Sequence, residues 1–257
     1  MPPLVSTGFG LVLPYMNEEM RAGIETEWRP TPEELQAELD AYRGSWLDEM
    51  KYRAPGSFLM ETVIFAVFTM WRAGGLMLIG MALFKLEVFN STRSPRFYTL
   101  LVAIGGAIGI GVTGWGVRRN IAHDWDLSCL FWGLNFNYFG SLFTSLAWIG
   151  LVMLICQAKA LPILTNSLAA VGQTAFSNYI LQTVLCTTIF YGHGFGLFGK
   201  VDRFSQFLLV CAIWAFQLLV SAWWIRNFRA GPLEWIWRSL TYWRRQPFRK
   251  NQALPND

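Results

Sequence analysis

Long apolar runs separated by short polar segments fill the chain from residue 58 onward. Each run is about as long as the roughly 20 residues that an α-helix needs to cross the hydrocarbon core of a bilayer. The pattern therefore predicts an all-α fold, a polytopic transmembrane helical bundle with about five spanning helices and amphipathic surface helices. The predicted spans lie near residues 62–84, 97–117, 139–157, 169–191 and 205–225.

The segment before the first span has the pattern of an amphipathic helix. In TPEELQAELDAYRGSWLDEMKYR, Thr31 and Glu34 have the spacing of a capping box, and Pro32 suits the first helical position. Apolar residues then recur at spacings of three and four, with an interruption expected at Gly44. We interpret this helix as a connector packed on the outer surface; the alternative is a lid over a membrane cavity.

A second amphipathic helix is predicted in GPLEWIWRSLTYW, residues 231–243. Pro232 would start it, and Glu234 and Arg238 have the spacing of an i,i+4 pair. Its tryptophans suit the headgroup layer of a membrane, so we expect it to lie on the inner surface. The basic residues that follow would attract anionic lipids. These residues are Arg244, Arg245, Arg249 and Lys250.

The charged residues are unevenly distributed along the chain. Residues 1–57 carry ten acidic and five basic side chains, whereas residues 58–257 carry seven acidic and sixteen basic ones. Most of the basic residues flank apolar runs, which is typical of membrane topology signals and not of nucleic acid binding. We expect an acidic extracytoplasmic segment with an amphipathic helix (1–57), a transmembrane bundle (58–228) and a cytoplasmic, basic amphipathic tail (229–257).

Five uncharged polar side chains interrupt the fourth predicted span, in GQTAFSNYILQTVLC. On a single helix they would fall within an arc of about 180°. Hydrocarbon offers no hydrogen-bond partners, so this face must turn toward the bundle or a wet cavity. It is either a substrate-binding surface or a set of interhelical hydrogen bonds. The five residues are Gln173, Thr174, Ser177, Asn178 and Gln182.

Arg72 is a further candidate for substrate binding, because it lies near the middle of the first predicted span. An arginine there costs at least about 2.5–3.5 kcal/mol unless it meets polar groups or reaches the interface. Glu61 shares its helical face but lies about 16 Å away along the axis, too far to pair directly. Arg72 therefore needs another partner, or its helix sits higher in the membrane than predicted.

The residues alone identify no cofactor, no metal site and no catalytic group. His123, Asp124 and Asp126 are interpreted as a solvated loop, with a metal site or general base as the alternative. The four cysteines lack CxxC spacing. The sequence contains no nucleophile elbow, Walker loop or dinucleotide fingerprint.

Three stretches occur together and in order: GLMLIGMALFK (75–85), VGQTAFSNYILQTVLCTTIFYGHGFGLFG (171–199) and GPLEWIWRSLTY (231–242). Together they resemble the C-terminal domain of YeiB-like bacterial membrane proteins, the domain of unknown function 418. His193 stands where the loop of that family is expected to have an aromatic residue, so the resemblance gives it no role.

The resemblance implies a multi-pass protein of the bacterial inner membrane, distantly related to membrane acyltransferases such as the heparan glucosaminide acetyltransferases. It also implies an additional N-terminal half with further spans. The histidine that the enzyme relatives use for acyl transfer would belong to that half, so no catalytic residue is carried over.

Three functional hypotheses follow from the polar face and the resemblance. The first is a C-terminal module that handles an acyl or other small group in a polar intramembrane cavity, with acyl-coenzyme A as the candidate donor. The second is a component of a small-molecule transporter or exporter. The third is a structural membrane scaffold whose polar residues only bind neighbouring helices.

Overall fold

The computed structural model describes residues 2–127 and 129–250. Within these ranges the chain forms eleven α-helices and no β-strand, apart from an isolated antiparallel bridge between Phe228 and Arg249. The predicted all-α class is confirmed. The helices are α1 (Pro2–Val12), α2 (Glu18–Trp28), α3 (Pro32–Arg43), α4 (Trp46–Leu59), α5 (Met70–Lys85), α6 (Pro95–Ala122), α7 (Leu134–Gln157), α8 (Pro162–Gln173), α9 (Ala175–Phe190), α10 (Arg203–Asn227) and α11 (Pro232–Thr241).

Four helical segments of the described chain are long and apolar enough to cross a membrane, judged by length and composition. They correspond to the first, second, third and fifth predicted spans and suggest a membrane protein. The first is longer than expected, because a π-helical segment, Met60–Thr69, joins α4 to α5. The four segments are Trp46–Lys85, Pro95–Ala122, Phe131–Gln157 and Arg203–Asn227.

The prediction of one spanning helix over residues 169–191 is wrong. This part of the chain is divided between α8 and α9 at Thr174, whose backbone (φ −117°, ψ 29°) is not helical. The 16 residues of α9 are fewer than the roughly 20 needed to span a bilayer. The break lies at Gln173 and Thr174 and contains no proline, and apolar residues resume directly after it, so the hydropathy pattern did not reveal it.

Contacts divide the described chain into two compact units. The first unit lies within Met1–Leu35 and Arg53–Ala160, and the second lies within Gln36–Tyr52 and Leu161–Asp257. The predicted division into residues 1–57, 58–228 and 229–257 concerns exposure to water and lipid, and it remains a prediction. Residues 251–257 of the predicted tail lie outside the described residues.

Local signals at the start of α3 and α4 fix where these helices begin. The predicted capping box is present: Thr31 N donates to Glu34 Oε2 at 2.8 Å, and Glu34 N donates to Thr31 Oγ1 at 3.3 Å. The helix stops before Gly44, as expected. A second capping box follows, in which Ser45 N donates to Asp48 Oδ2 at 3.1 Å and starts α4.

Small residues allow α6 and α7 to approach each other closely in the first unit. A Cβ added to Gly109 would lie 2.6 Å from Thr144 N, and one added to Gly140 would clash with Thr113 Oγ1. Close approach at glycine is a common way for apolar helices to associate in membranes. Gly106 lies about one helical turn before Gly109, and a Cβ added to it would have no atom within 4 Å.

We expect Gly109→Ala to destabilise the protein and Gly106→Ala to leave its stability unchanged or slightly higher. The extra methyl at Gly109 must displace α7, which costs about 1–3 kcal/mol, whereas alanine otherwise favours a helix over glycine. Thermal unfolding of both variants in one detergent would measure the difference. Equal melting temperatures would contradict the close packing at Gly109.

Candidate functional site

The predicted polar face lies at the break between α8 and α9 in the second unit. Thr174 and Asn178 are buried, and Ser177 is half-buried. Gln173 and Gln182 are exposed among the described residues. Because α8 ends at Gln173, this side chain does not continue the face of α9. The structure therefore turns three of the five candidates inward and leaves two outside.

Asn178 links α9 to α10 by hydrogen bonds. Its Nδ2 donates to Thr174 Oγ1 and to Ser221 Oγ, both at 2.8 Å. Gln217 Nε2 donates to the backbone oxygen of Asn178 at 2.9 Å, and Thr174 Oγ1 donates to Ala170 O at 2.9 Å. Ser221 and Gln217 are also buried. These groups use one another as partners, an arrangement typical of interhelical hydrogen bonding.

Ser177 and Glu234 cap the N-termini of each other's helices. Ser177 N, in the first turn of α9, donates to Glu234 Oε1 at 3.0 Å, and its hydroxyl donates to Oε2 of the same carboxylate. In return, Leu233 N at the start of α11 donates to Ser177 Oγ at 3.0 Å. The first amides of a helix have no acceptor within it, so each helix supplies an acceptor to the other. A Cβ on Gly231 would lie 2.7 Å from Ser177 Oγ and clash with Glu234.

Arg72 belongs to the first unit, where α7 supplies its partners. Its Nη2 donates to Ser141 Oγ at 2.8 Å, and its guanidinium carbon lies 4.4 Å from the centre of the Tyr138 ring. A hydroxyl and an aromatic face are partners that lower the cost of an arginine on an apolar helix. The expectation that Arg72 needs a partner other than Glu61 is met at these two side chains.

Sequence reasoning missed a carboxylate and an imidazole that meet in the second unit. Nδ1 of His193 lies 3.5 Å from Oε2 of Glu49, and the side chains are 33% and 5% exposed. The two side chains lie at ion-pair distance, and a carboxylate this close to Nδ1 favours a proton on that nitrogen, so that Nε2 is the proton-accepting nitrogen of the neutral ring. The two residues are far apart in the sequence, so no local spacing could have connected them.

The glycine-rich loop 191–199 that carries this histidine is fixed against the end of α3. Gly192 N donates to Tyr42 O at 2.8 Å, and Arg43 Nε donates to Phe198 O at 2.8 Å. The rings of Tyr42 and Phe198 stack with their centres 4.5 Å apart. A Cβ on Gly192 would clash with the α3 backbone, so glycine permits this close contact. The loop that carries the imidazole is therefore held in a defined position.

An open pocket of about 490 Å³ lies beside the loop. Cys186, Phe190, Tyr191 and Phe198 form much of its wall. The Tyr191 ring also meets the His193 ring edge to face, with their centres 5.9 Å apart. The volume is in the range of small-molecule sites, and three of the seven lining residues are aromatic, a residue type that such sites often use.

A metal centre is not formed by the described residues, since no group of three or more His, Cys, Asp or Glu side chains is placed to hold an ion. The sequence 123–126 forms an exposed turn. Asp124 there lies 3.8 Å from Arg29, and both side chains are largely accessible to solvent. This exposure agrees with the interpretation of a solvated loop.

Comparison with known proteins identifies the family. The family described as "Protein of unknown function (DUF418)" matches residues 83–244, which is more than half of the chain. The chain is 34% identical over 175 residues to the uncharacterized protein YeiB of Escherichia coli, covering 66% of this chain and 44% of YeiB. It is 40% identical over 115 residues to the uncharacterized protein YxaH of Bacillus subtilis, covering 45% of this chain and 29% of YxaH.

Both alignments span less than half of the relative's length. No solved structure matches the chain. The family match includes residues 171–199 and 231–242, two of the three stretches that carried the resemblance, and it extends through α11. The chain therefore belongs to the DUF418 family, and the predicted resemblance to YeiB-like proteins is confirmed.

Proposed function

We propose that this chain is an integral inner-membrane module that handles an acyl or similar small group, with His193 as the group that accepts a proton. The observation that carries the proposal is the buried Glu49 carboxylate 3.5 Å from Nδ1 of a histidine on an anchored loop. A base oriented in this way is a common feature of enzymes that activate a hydroxyl. The resemblance to membrane acyltransferases supplies the class of group transferred.

The proposed step is the transfer of an acyl group from a thioester donor, such as acyl-coenzyme A, to an acceptor hydroxyl. The hydroxyl proton goes to Nε2 of His193 while the hydroxyl oxygen bonds to the acyl carbon. The bond from that carbon to sulphur then breaks, and the leaving thiolate takes the proton from the imidazolium. Glu49 keeps the ring in the required orientation throughout.

In this proposal, three residues of the polar face hold helices together. Thr174 and Asn178 are engaged with each other and with α10, and Ser177 is engaged with α11. Gln173 and Gln182 remain candidates for substrate contact because they are exposed. Arg72 remains a candidate for substrate contact in the first unit.

We expect His193→Gln to abolish acyl transfer and Glu49→Gln to lower the rate by about 100-fold or more, the usual contribution of an oriented base. The assay would follow a labelled acyl group from acyl-coenzyme A to a co-purified acceptor, using the intact protein that carries this chain. His123→Gln is the matched control, because it replaces the only other histidine, which lies in an exposed turn. Unchanged transfer by a folded His193→Gln variant would contradict the proposal.

A transporter or exporter component is the second candidate, and the broken helix favours it. Many transporters bind their substrates where a membrane helix is discontinuous, and the chain is interrupted at Thr174 between two short helices, one of them apolar α9. Accumulation of a substrate in proteoliposomes without any acyl transfer would select this candidate. A structural scaffold, the third hypothesis, predicts that both assays remain silent in the wild-type protein.

The remaining expectations about the membrane are proposals with their own support. The seven basic residues between 226 and 250 favour a cytoplasmic C-terminus. The alignments cover less than half of YeiB and of YxaH, which supports the proposal that an additional N-terminal half is a partner of this module. Labelling of single cysteines from each side of the inner membrane would establish the orientation.

A further inference from the structure

An apolar groove runs between α8 and α10 in the second unit, with a volume of about 920 Å³. One face of α10 forms its floor, through residues that recur at spacings of three and four from Ala215 to Arg226. The first turn of α8, including Pro162 and Ile163, forms its side. The groove is open along its length, and its lining is apolar except for Ser167 and Arg226.

The groove is as long as one leaflet of a bilayer is deep. The eleven steps from Ala215 to Arg226 correspond to about 16 Å at 1.5 Å per residue, and half of a hydrocarbon core of about 30 Å is about 15 Å. Arg226 lies one residue before the end of α10 and follows Trp223 and Trp224. Tryptophan and arginine at a helix end are typical of the membrane interface, so the charged end of the groove belongs at that level.

A second pocket, of about 380 Å³, continues the groove at its charged end. It shares Ser167, Ala222 and Arg226 with the groove and adds Asn166 and Lys250. Neither the guanidinium of Arg226 nor Nζ of Lys250 forms an ion pair with a described residue. Two cations and two neutral hydrogen-bonding side chains therefore converge where the apolar groove ends.

The fold of the tail places Lys250 at this point. Lys250 N donates to Asn227 O at 3.3 Å, and Arg229 N donates to Phe248 O at 3.0 Å, so the tail returns antiparallel to the end of α10. The Phe248 ring packs 4.7 Å from the ring of Phe228 and holds the returning segment. The pairing of Lys250 with Arg226 in one pocket thus results from tertiary structure rather than from a mobile basic tail.

We propose that the groove binds an anionic phospholipid, with one acyl chain along α10 and the phosphate between Arg226 and Lys250. The apolar length suits a chain that reaches the middle of the bilayer, and two cations suit a phosphate. Asn166 and Ser167 offer hydrogen bonds to the glycerol and ester oxygens. A helix of another chain would leave both cations without a partner at an apolar interface, so the charges favour a lipid. This site is separate from His193 and does not depend on the proposed acyl transfer.

The test uses phosphatidylglycerol with a photoreactive acyl chain, added to the purified protein in phosphatidylcholine nanodiscs. We expect labelling of peptides from α8 and α10 near Ile163 and Ala222. The double variant Arg226→Gln and Lys250→Gln should bind the probe about thirtyfold more weakly, the combined effect of two basic residues at an anionic surface. The matched control is Arg96→Gln with Arg118→Gln, which removes the same charge from exposed positions of α6 in the first unit and should label like the wild type.

A second variant and a competitor separate the alternative occupants. Ala222→Trp fills the groove without changing its charge, and it should lose the labelling while its helical circular dichroism is retained. Competition by glycerol phosphate as strong as that by phosphatidylglycerol would show a site for free phosphate and overturn the lipid assignment. Disulfide cross-linking between two Ala222→Cys copies without any lipid labelling would assign the groove to a second copy and overturn it as well.

Discussion

Replacing Glu234 by alanine is expected to lower the free energy of unfolding by about 2–4 kcal/mol. The carboxylate accepts hydrogen bonds from both the amide and the hydroxyl of Ser177. Hydrogen bonds to charged groups contribute about 1.5–3 kcal/mol, and loss of a helix cap costs about 1 kcal/mol. Thermal or denaturant unfolding in detergent would measure the loss, and hydrogen exchange at Ser177 N should accelerate.

The control for this prediction lies on the same helix. Arg238 is also charged, lies one turn from Glu234 and is exposed, so Arg238→Gln should change stability by less than about 0.5 kcal/mol. A double-mutant cycle between Ser177→Ala and Glu234→Ala should give a coupling energy within about 0.5–3 kcal/mol, because the two side chains share their bonds. The reciprocal cap would be disproved by additive effects, or by a Glu234→Ala variant as stable as Arg238→Gln.

The cap formed by Glu234 and Ser177 also shows which contacts could not be predicted from the sequence. The start of α11 at Pro232 was correctly predicted from local residues. Glu234 and Arg238 were expected to pair along the helix, but the carboxylate instead binds Ser177. An i,i+4 pair is visible in the sequence, whereas a partner on another helix is visible only in the fold. The pairing of Glu49 with His193 was missed for the same reason.

The apolar pattern was informative where it was continuous. Four of the five predicted spans correspond to long apolar helices, because about 20 apolar residues in one run have few alternatives to a helix. The apolar pattern failed at Thr174, where the helix is interrupted at polar residues that this pattern alone does not distinguish from a polar face on one continuous helix. The argument that hydrocarbon cannot satisfy polar groups correctly placed Thr174 and Asn178 inside. Gln182 is exposed among the described residues, so its placement toward the bundle or a wet cavity stays a prediction.

Asn178→Leu distinguishes a structural role of the polar face from a substrate-binding role. The leucine would remove two hydrogen bonds and leave the buried Ser221 hydroxyl without the donor it now accepts from. Interhelical bonds in membranes contribute about 0.6 kcal/mol each, and an unsatisfied buried group adds about 1–3 kcal/mol. We therefore expect the free energy of unfolding to fall by about 2–4 kcal/mol, measured by thermal unfolding in detergent.

Two further variants test whether the loss of stability comes from the hydrogen bonds of Asn178. Gln182→Leu changes the same kind of residue to leucine on the exposed side of α9 and should have little effect on stability. Adding Ser221→Ala to Asn178→Leu should recover part of the loss, because the unpaired hydroxyl is then removed as well. Asn178→Leu could instead keep full stability and abolish acyl transfer or substrate accumulation. The buried amide would then contact substrate, and the proposed structural role of Asn178 would be wrong. Loss of stability with recovery in the double variant would establish that lipid-excluded polar groups here hold α9 to α10.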